Sequence, residues 1–77
     1  VLWLGFKLVP ATEIIGRFDE LSPLEVQCFL SEGFYVTYET GGRVVFIFCP
    51  GMPEAQVFRH VKKLDGGKFA VRKRAAA

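Results

Sequence analysis

Hydrophobic and polar positions alternate over three stretches of this chain and recur at helical spacing over two others. Residues 1–9, VLWLGFKLV, set Leu2, Leu4, Phe6 and Leu8 on one side and Trp3, Gly5, Lys7 and Val9 on the other, which predicts a strand closed by Pro10. Residues 34–49, FYVTYETGGRVVFIFC, hold two β-branched and aromatic runs around Gly41-Gly42, a dipeptide suited to a two-residue hairpin loop. Regular pairing from that loop sets Glu39 opposite Val44, Tyr38 opposite Val45, Thr37 opposite Phe46, Val36 opposite Ile47 and Tyr35 opposite Phe48. One face is then Phe34, Val36, Tyr38, Val45, Ile47 and Cys49. The other is Tyr35, Thr37, Glu39, Val44, Phe46 and Phe48, and it is expected to be the open one because burying an unpaired carboxylate is costly. Residues 68–74, KFAVRKR, alternate again, with Phe69 and Val71 inward and Lys68, Ala70, Arg72 and Arg74 outward.

Between these strands, Thr12 is placed to cap a short helical segment from Glu13 to about Phe18, weakened by Gly16. Ser22-Pro23-Leu24-Glu25 is a capping box with proline at the first helical position. It predicts a helix over 23–31 that packs Leu24, Cys28 and either Phe29 or Leu30 inward and stops at Gly33. A second helix is expected over 53–65, with Val57, Val61 and Leu64 on its inner face and Gly66-Gly67 at its end. The order β-α-β-β-α-β predicts an α+β, ferredoxin-like sandwich. Its antiparallel four-stranded sheet would run 4-1-3-2, with two helices on one face and the other face open. Leu4, Phe6, Val36, Ile47, Val57, Val61 and Val71 are the expected core.

The 77 residues predict one domain over 1–74, followed by Ala75-Ala76-Ala77, which reads as a cloning scar. With neither an initiator methionine nor a signal peptide, the chain reads as cut from a longer protein. Its apolar runs fall short of the roughly 20 residues of a membrane span, so a soluble domain is expected. Cys28 and Cys49 lie in apolar runs and read as reduced core residues, which favours an intracellular compartment, nuclear or cytoplasmic. The net charge is only +2, but seven of ten basic residues (Arg59, Lys62, Lys63, Lys68, Arg72, Lys73 and Arg74) fall in the last stretch, while six acids lie between Glu13 and Glu39. The basic end is a candidate for an anionic partner or a solvated helix face and tail.

On the expected open face, aromatics sit in the middle and bases at the edge. There the chain resembles an RNA-recognition motif. Leu2-Trp3-Leu4-Gly5-Phe6 is similar to that family's first-strand motif, with Trp3 in the aromatic slot. Gly42 to Cys49 maps onto its third-strand motif, with Phe46 in the second aromatic slot but Val44 and Cys49 where aromatics would stand. Val57, His60, Val61, Leu64 and Gly66 follow the spacing of its second helix. The resemblance implies a sheet on which central-strand aromatics stack bases.

No catalytic set, metal site or cofactor-binding loop is legible: His60 is the sole histidine, the cysteines lack C-x-x-C spacing, and Gly41-Gly42 joins two strands instead of opening a helix. A non-catalytic binding module without a small-molecule cofactor is the expectation. In one reading it binds single-stranded RNA, with Trp3, Tyr35, Phe46 and Phe48 supplying aromatic surface and Lys7, Lys68, Arg72 and Arg74 meeting phosphates. In another, the same face is buried against a protein partner or a second copy. In a third, chain beyond these residues covers part of it.

Overall fold

The computed structural model describes residues 11–74; the strand expected over 1–9, with Trp3, Leu4, Phe6 and Lys7, lies outside the described residues. Six elements follow in the order β1 (Ala11–Phe18), α1 (Pro23–Ser31), β2 (Tyr35–Thr40), β3 (Arg43–Phe48), α2 (Glu54–Lys63) and β4 (Lys68–Arg74). They form a four-stranded antiparallel sheet with two helices, an α+β arrangement compatible with a ferredoxin-like fold. Among the described residues, no helix is long and apolar enough to cross a membrane.

Residues 11–18 correct the reading of a helical turn there. They are a strand, paired with β4 from Ala11 opposite Arg74 to Phe18 opposite Phe69. Ile14 and Ile15 are β-branched and favour a pleated strand, and Gly16 disfavours helix. Gly16 also has a packing role, since a Cβ there would lie 2.9 Å from the Phe18 ring.

The strand order is β1-β4-β2-β3 in place of the expected 4-1-3-2. The central strands are therefore β4 and β2, and their burial shows it. Tyr35, Val36, Thr37 and Tyr38 are buried in succession, as are Phe69, Ala70 and Val71. Such unbroken runs fit strands that have a neighbouring strand on both sides. On β3 the residues from Arg43 to Val45 are exposed, as befits an edge.

The β2–β3 hairpin turns as expected through Gly41 (φ 57°) and Gly42 (φ 78°), with Thr40 opposite Arg43. Glu39 pairs with Val44, but Tyr38 pairs with Phe46, Thr37 with Ile47 and Val36 with Phe48. Val45 is thus the extra residue of a β-bulge, and everything beyond it changes face relative to regular pairing. The bulge exchanges Val45 and Ile47 for Phe46 and Phe48 as inward residues. Two phenyl rings remove more apolar area from water than a valine and an isoleucine. The interrupted ladder costs on the order of one hydrogen bond, about 1 kcal/mol, at an edge where water can satisfy the freed groups.

The helices cover the face carrying Val36, Tyr38, Phe48, Phe69 and Val71, and Val26, Leu30, Val57 and Val61 meet these in one core. Val36, Val57, Val61 and Val71 are buried as expected, whereas Ile47 is half-exposed on the far face. Helix α1 begins at the Ser22–Glu25 capping box, with Ser22 N donating to Glu25 Oε1 at 2.7 Å and Glu25 N donating to Ser22 Oγ at 3.2 Å. Its inner face is Val26 and Leu30. Leu24 and Cys28, expected inward, are both exposed.

Candidate interaction surface

The registers define the sheet face turned away from the helices. Ile14 lies beside Arg72, which lies beside Tyr35; Arg17 lies beside Ala70, which lies beside Thr37 and then Ile47; Lys68 lies beside Glu39 and then Val44.

This face is organised around a carboxylate. Glu39 receives Arg72 Nη2 on Oε2 at 2.6 Å and Arg17 Nη1 on Oε1 at 3.2 Å. Arg72 Nε donates to Thr37 Oγ1 at 2.9 Å, and Thr37 Oγ1 donates to the Ala70 carbonyl oxygen at 3.4 Å. The network crosses β1, β4 and β2. The Glu39 and Arg72 side chains are only 14% and 18% exposed, whereas Arg17 is 55% exposed. Glu39 thereby tolerates a mostly desolvated position, because each oxygen has a cationic partner.

The expected site residues divide accordingly. Phe46 and Phe48 are corrections: the bulge turns both toward the helices. Phe48 is fully buried, and Phe46 is half-buried with its ring 4.7 Å from Phe48 and 4.5 Å from His60. Tyr35 is on the face expected, yet only 8% exposed. Arg72 is on that face but committed to Glu39 and Thr37. Lys68 is well exposed, with Asp19 3.8 Å away in a pair too solvated to hold it. Arg74 ends β4 opposite Ala11, and its side chain, like those of Trp3 and Lys7, lies outside the description.

Sequence reasoning set Val44 on the open face but did not place it, Val45, Ile14 and Ile15 on the sheet edges. Of the five large hydrophobic residues exposed among those described, Ile14 and Ile15 are on β1, Val44 and Val45 are on β3, and Leu24 is on α1. Bulges fall between Ile14 and Gly16 and at Val45, so Ile15 and Val45 are exposed because the bulges push them out of the alternation. The signal for β3 was its unbroken apolar run, Val44 to Phe48, which satisfies either face.

The remaining chemistry is sparse. Burial, with the nearby Arg59 and Lys63 charges adding to it, holds His60 below the usual imidazole range. Burial pushes the Cys49 thiol up, which disfavours the thiolate a nucleophile needs. Among the described residues, no group of three or more His, Cys, Asp or Glu side chains is placed to hold a metal ion. A pocket of about 390 Å³ lies beside Tyr38, whose hydroxyl accepts from Gly67 N at 2.6 Å, with Asp19, Glu20 and Asp65 at its rim. Comparison with family models, with curated proteins and with solved structures returns no match to this chain.

Proposed function

We propose that this domain is a non-catalytic protein-interaction module that meets its partner along the two edges of its sheet. The observation carrying this reading is the placement of Ile14, Ile15, Val44 and Val45, four exposed aliphatic side chains confined to the edge strands. Exposed apolar clusters of this kind mark surfaces that another molecule covers. The bulges break the row of free backbone groups on each edge, which blocks unlimited strand-on-strand growth while leaving the side chains presented.

The resemblance to an RNA-recognition motif retains the element order but loses much of the surface it implied. A stacking platform needs aromatic faces in solvent, and Phe46 and Phe48 face the helices while Tyr35 is buried. Phosphate binding needs uncommitted cations, and on this face Arg72 and Arg17 are held by Glu39, which leaves Lys68 as the exposed base among the expected residues whose side chains are described.

A displayed library of random peptides, selected against the domain, tests the reading. Extended apolar sequences are expected, and the paired substitutions Val44→Lys with Val45→Lys, or Ile14→Lys with Ile15→Lys, should abolish their binding without unfolding the domain. Selected peptides indifferent to both pairs would refute it. So would saturable micromolar binding of a pool of short single-stranded RNAs that edge substitutions leave unchanged.

A further inference from the structure

The two sheet edges present the same kind of apolar pair in different electrostatic settings. Along β1 the charges are balanced: Glu13 sits opposite Lys73, Asp19 is 3.8 Å from Lys68, and Arg17 is held by Glu39. The β3 side is basic. Arg43 is exposed at the start of the strand, and α2 packs over it, with the His60 ring 4.5 Å from that of Phe46. Burial together with the Arg59 and Lys63 charges lowers the His60 pKa, so both bases stand close to that ring. The loop leaving α2 packs Gly67 against Glu39 and Thr40, and Thr40 pairs with Arg43. Lys63 at the end of α2 and Arg43 at the start of β3 therefore lie at the same end of the fold. None of the ion pairs among the described residues includes Arg43, Arg59 or Lys63. Glu39, the nearest acid in the sheet, is committed to Arg72 and Arg17, and the sole acid of α2, Glu54, is in its first turn.

We infer that the β3 edge binds an extended segment of a partner protein in which apolar and acidic residues alternate. An extended segment turns successive side chains to opposite faces. Laid along β3, it sends one set toward the outer side of the sheet, where Val44 is exposed, and the other toward α2, where Arg59 and Lys63 stand. Apolar residues suit the first set and carboxylates the second, and Arg43 adds a cation at the start of the strand. Val45, the extra residue of the bulge, gives a second apolar contact at the rim. The bulge keeps backbone pairing short, so side chains choose the partner. This inference rests on the edge reading above and specifies the partner of one edge.

Two capped and labelled octapeptides test it, one alternating valine with glutamate and one alternating valine with lysine, each titrated with the full chain by fluorescence anisotropy. At about 20 mM salt the glutamate peptide should bind at least about tenfold more tightly than the lysine peptide, and about 300 mM salt should narrow the gap. Arg43→Glu with Lys63→Glu reverses two exposed charges and should invert the preference, with circular dichroism showing the fold kept. Val44→Ser with Val45→Ser should abolish binding of the glutamate peptide, whereas Ile14→Ser with Ile15→Ser should leave its affinity within about twofold. Equal affinity for the two peptides overturns the inference; if the valine substitutions still abolish both, the edge reading stands without it. Glutamate-peptide binding that survives the valine substitutions overturns it as well, because the bases then act away from the β3 edge. Absence of binding by either peptide at about 1 mM also overturns it, and the library selection described above then decides the edge reading separately.

Discussion

Replacing Glu39 by glutamine removes one charge from the centre of the outer sheet face and leaves two arginines without their counter-ion. The structure sets the scale of the loss. Breaking a fully buried pair costs about 3–5 kcal/mol, and an exposed pair contributes about 0–1 kcal/mol. Glu39 and Arg72 are 14% and 18% exposed and 2.6 Å apart, between those limits but nearer the buried one. Glutamine still offers one acceptor oxygen, and Arg72 keeps Thr37. A loss of about 2 kcal/mol follows, which in a domain of this size lowers the melting temperature by about 8–16 °C. Arg17, 55% exposed and 3.2 Å from its oxygen, should contribute under about 1 kcal/mol. Urea denaturation of Glu39→Gln, Arg72→Met, Arg17→Met and the two double variants gives both coupling energies. The Glu39–Arg72 coupling should exceed the Glu39–Arg17 coupling at least twofold. A Glu39→Gln variant within about 0.5 kcal/mol of wild type, or an Arg17 coupling as large as that of Arg72, would refute the account of this face as a clamped network.

Phe48→Ala should cost about 3–5 kcal/mol, because the ring is fully buried, and the chain should melt early or fail to fold by circular dichroism. An unchanged melt would mean the ring stands in solvent. Deleting Val45 removes the residue the bulge leaves unpaired and should preserve the pairing of Tyr38 with Phe46 and Val36 with Phe48, with the restored ladder bond stabilising the domain by about 1 kcal/mol or less. Loss of the Phe46–His60 ring contact in nuclear Overhauser spectra of the deletion variant would show the strand had turned over. His60 titrates below its unfolded value near 6.5, so the unfolded chain takes up its proton first as pH falls. Stability should therefore be highest above that value, decline through it and level off below the folded-state value; His60→Phe should flatten the trend in melting temperature between pH 7.5 and 5, and an equal slope in both proteins would contradict it.

Much of this architecture was legible because the determinants are local. The Ser22–Glu25 box fixed the start of α1, and both of its hydrogen bonds are present. Gly41-Gly42 identified the hairpin, and both residues adopt the positive φ that such a turn requires. Val57 and Val61 marked the inner face of α2. Where the determinant lay elsewhere in the chain, the sequence misled. Residues 11–18 have a plausible cap and mixed propensity, and what makes them a strand is β4 alongside. Helix α1 offers two apolar pairs at the same spacing, Leu24 with Cys28 and Val26 with Leu30, and only the packed core distinguishes them. The charged cluster on the open face was hidden for the same reason. Arg72 reaches Glu39 because β4 adjoins β2, a neighbourhood the expected strand order did not contain.

Whether Phe46 and Phe48 face the helices or the outer side of the sheet turns on a single residue, Val45. Val44 to Phe48 is apolar at every position, so alternation alone cannot orient it, and the regular hairpin register sends Phe46 and Phe48 outward. On a central strand that register would be hard to escape, because a bulge would break ladders on both sides. On an edge strand the bulge interrupts one ladder and leaves the freed groups to water. The balance then favours placing the larger rings in the core. The position of β3 at the sheet edge and the inward turn of its phenylalanines are thus linked, and together they shift the exposed apolar surface from the sheet centre, where a base would stack, to the margins, where Val44, Val45, Ile14 and Ile15 stand.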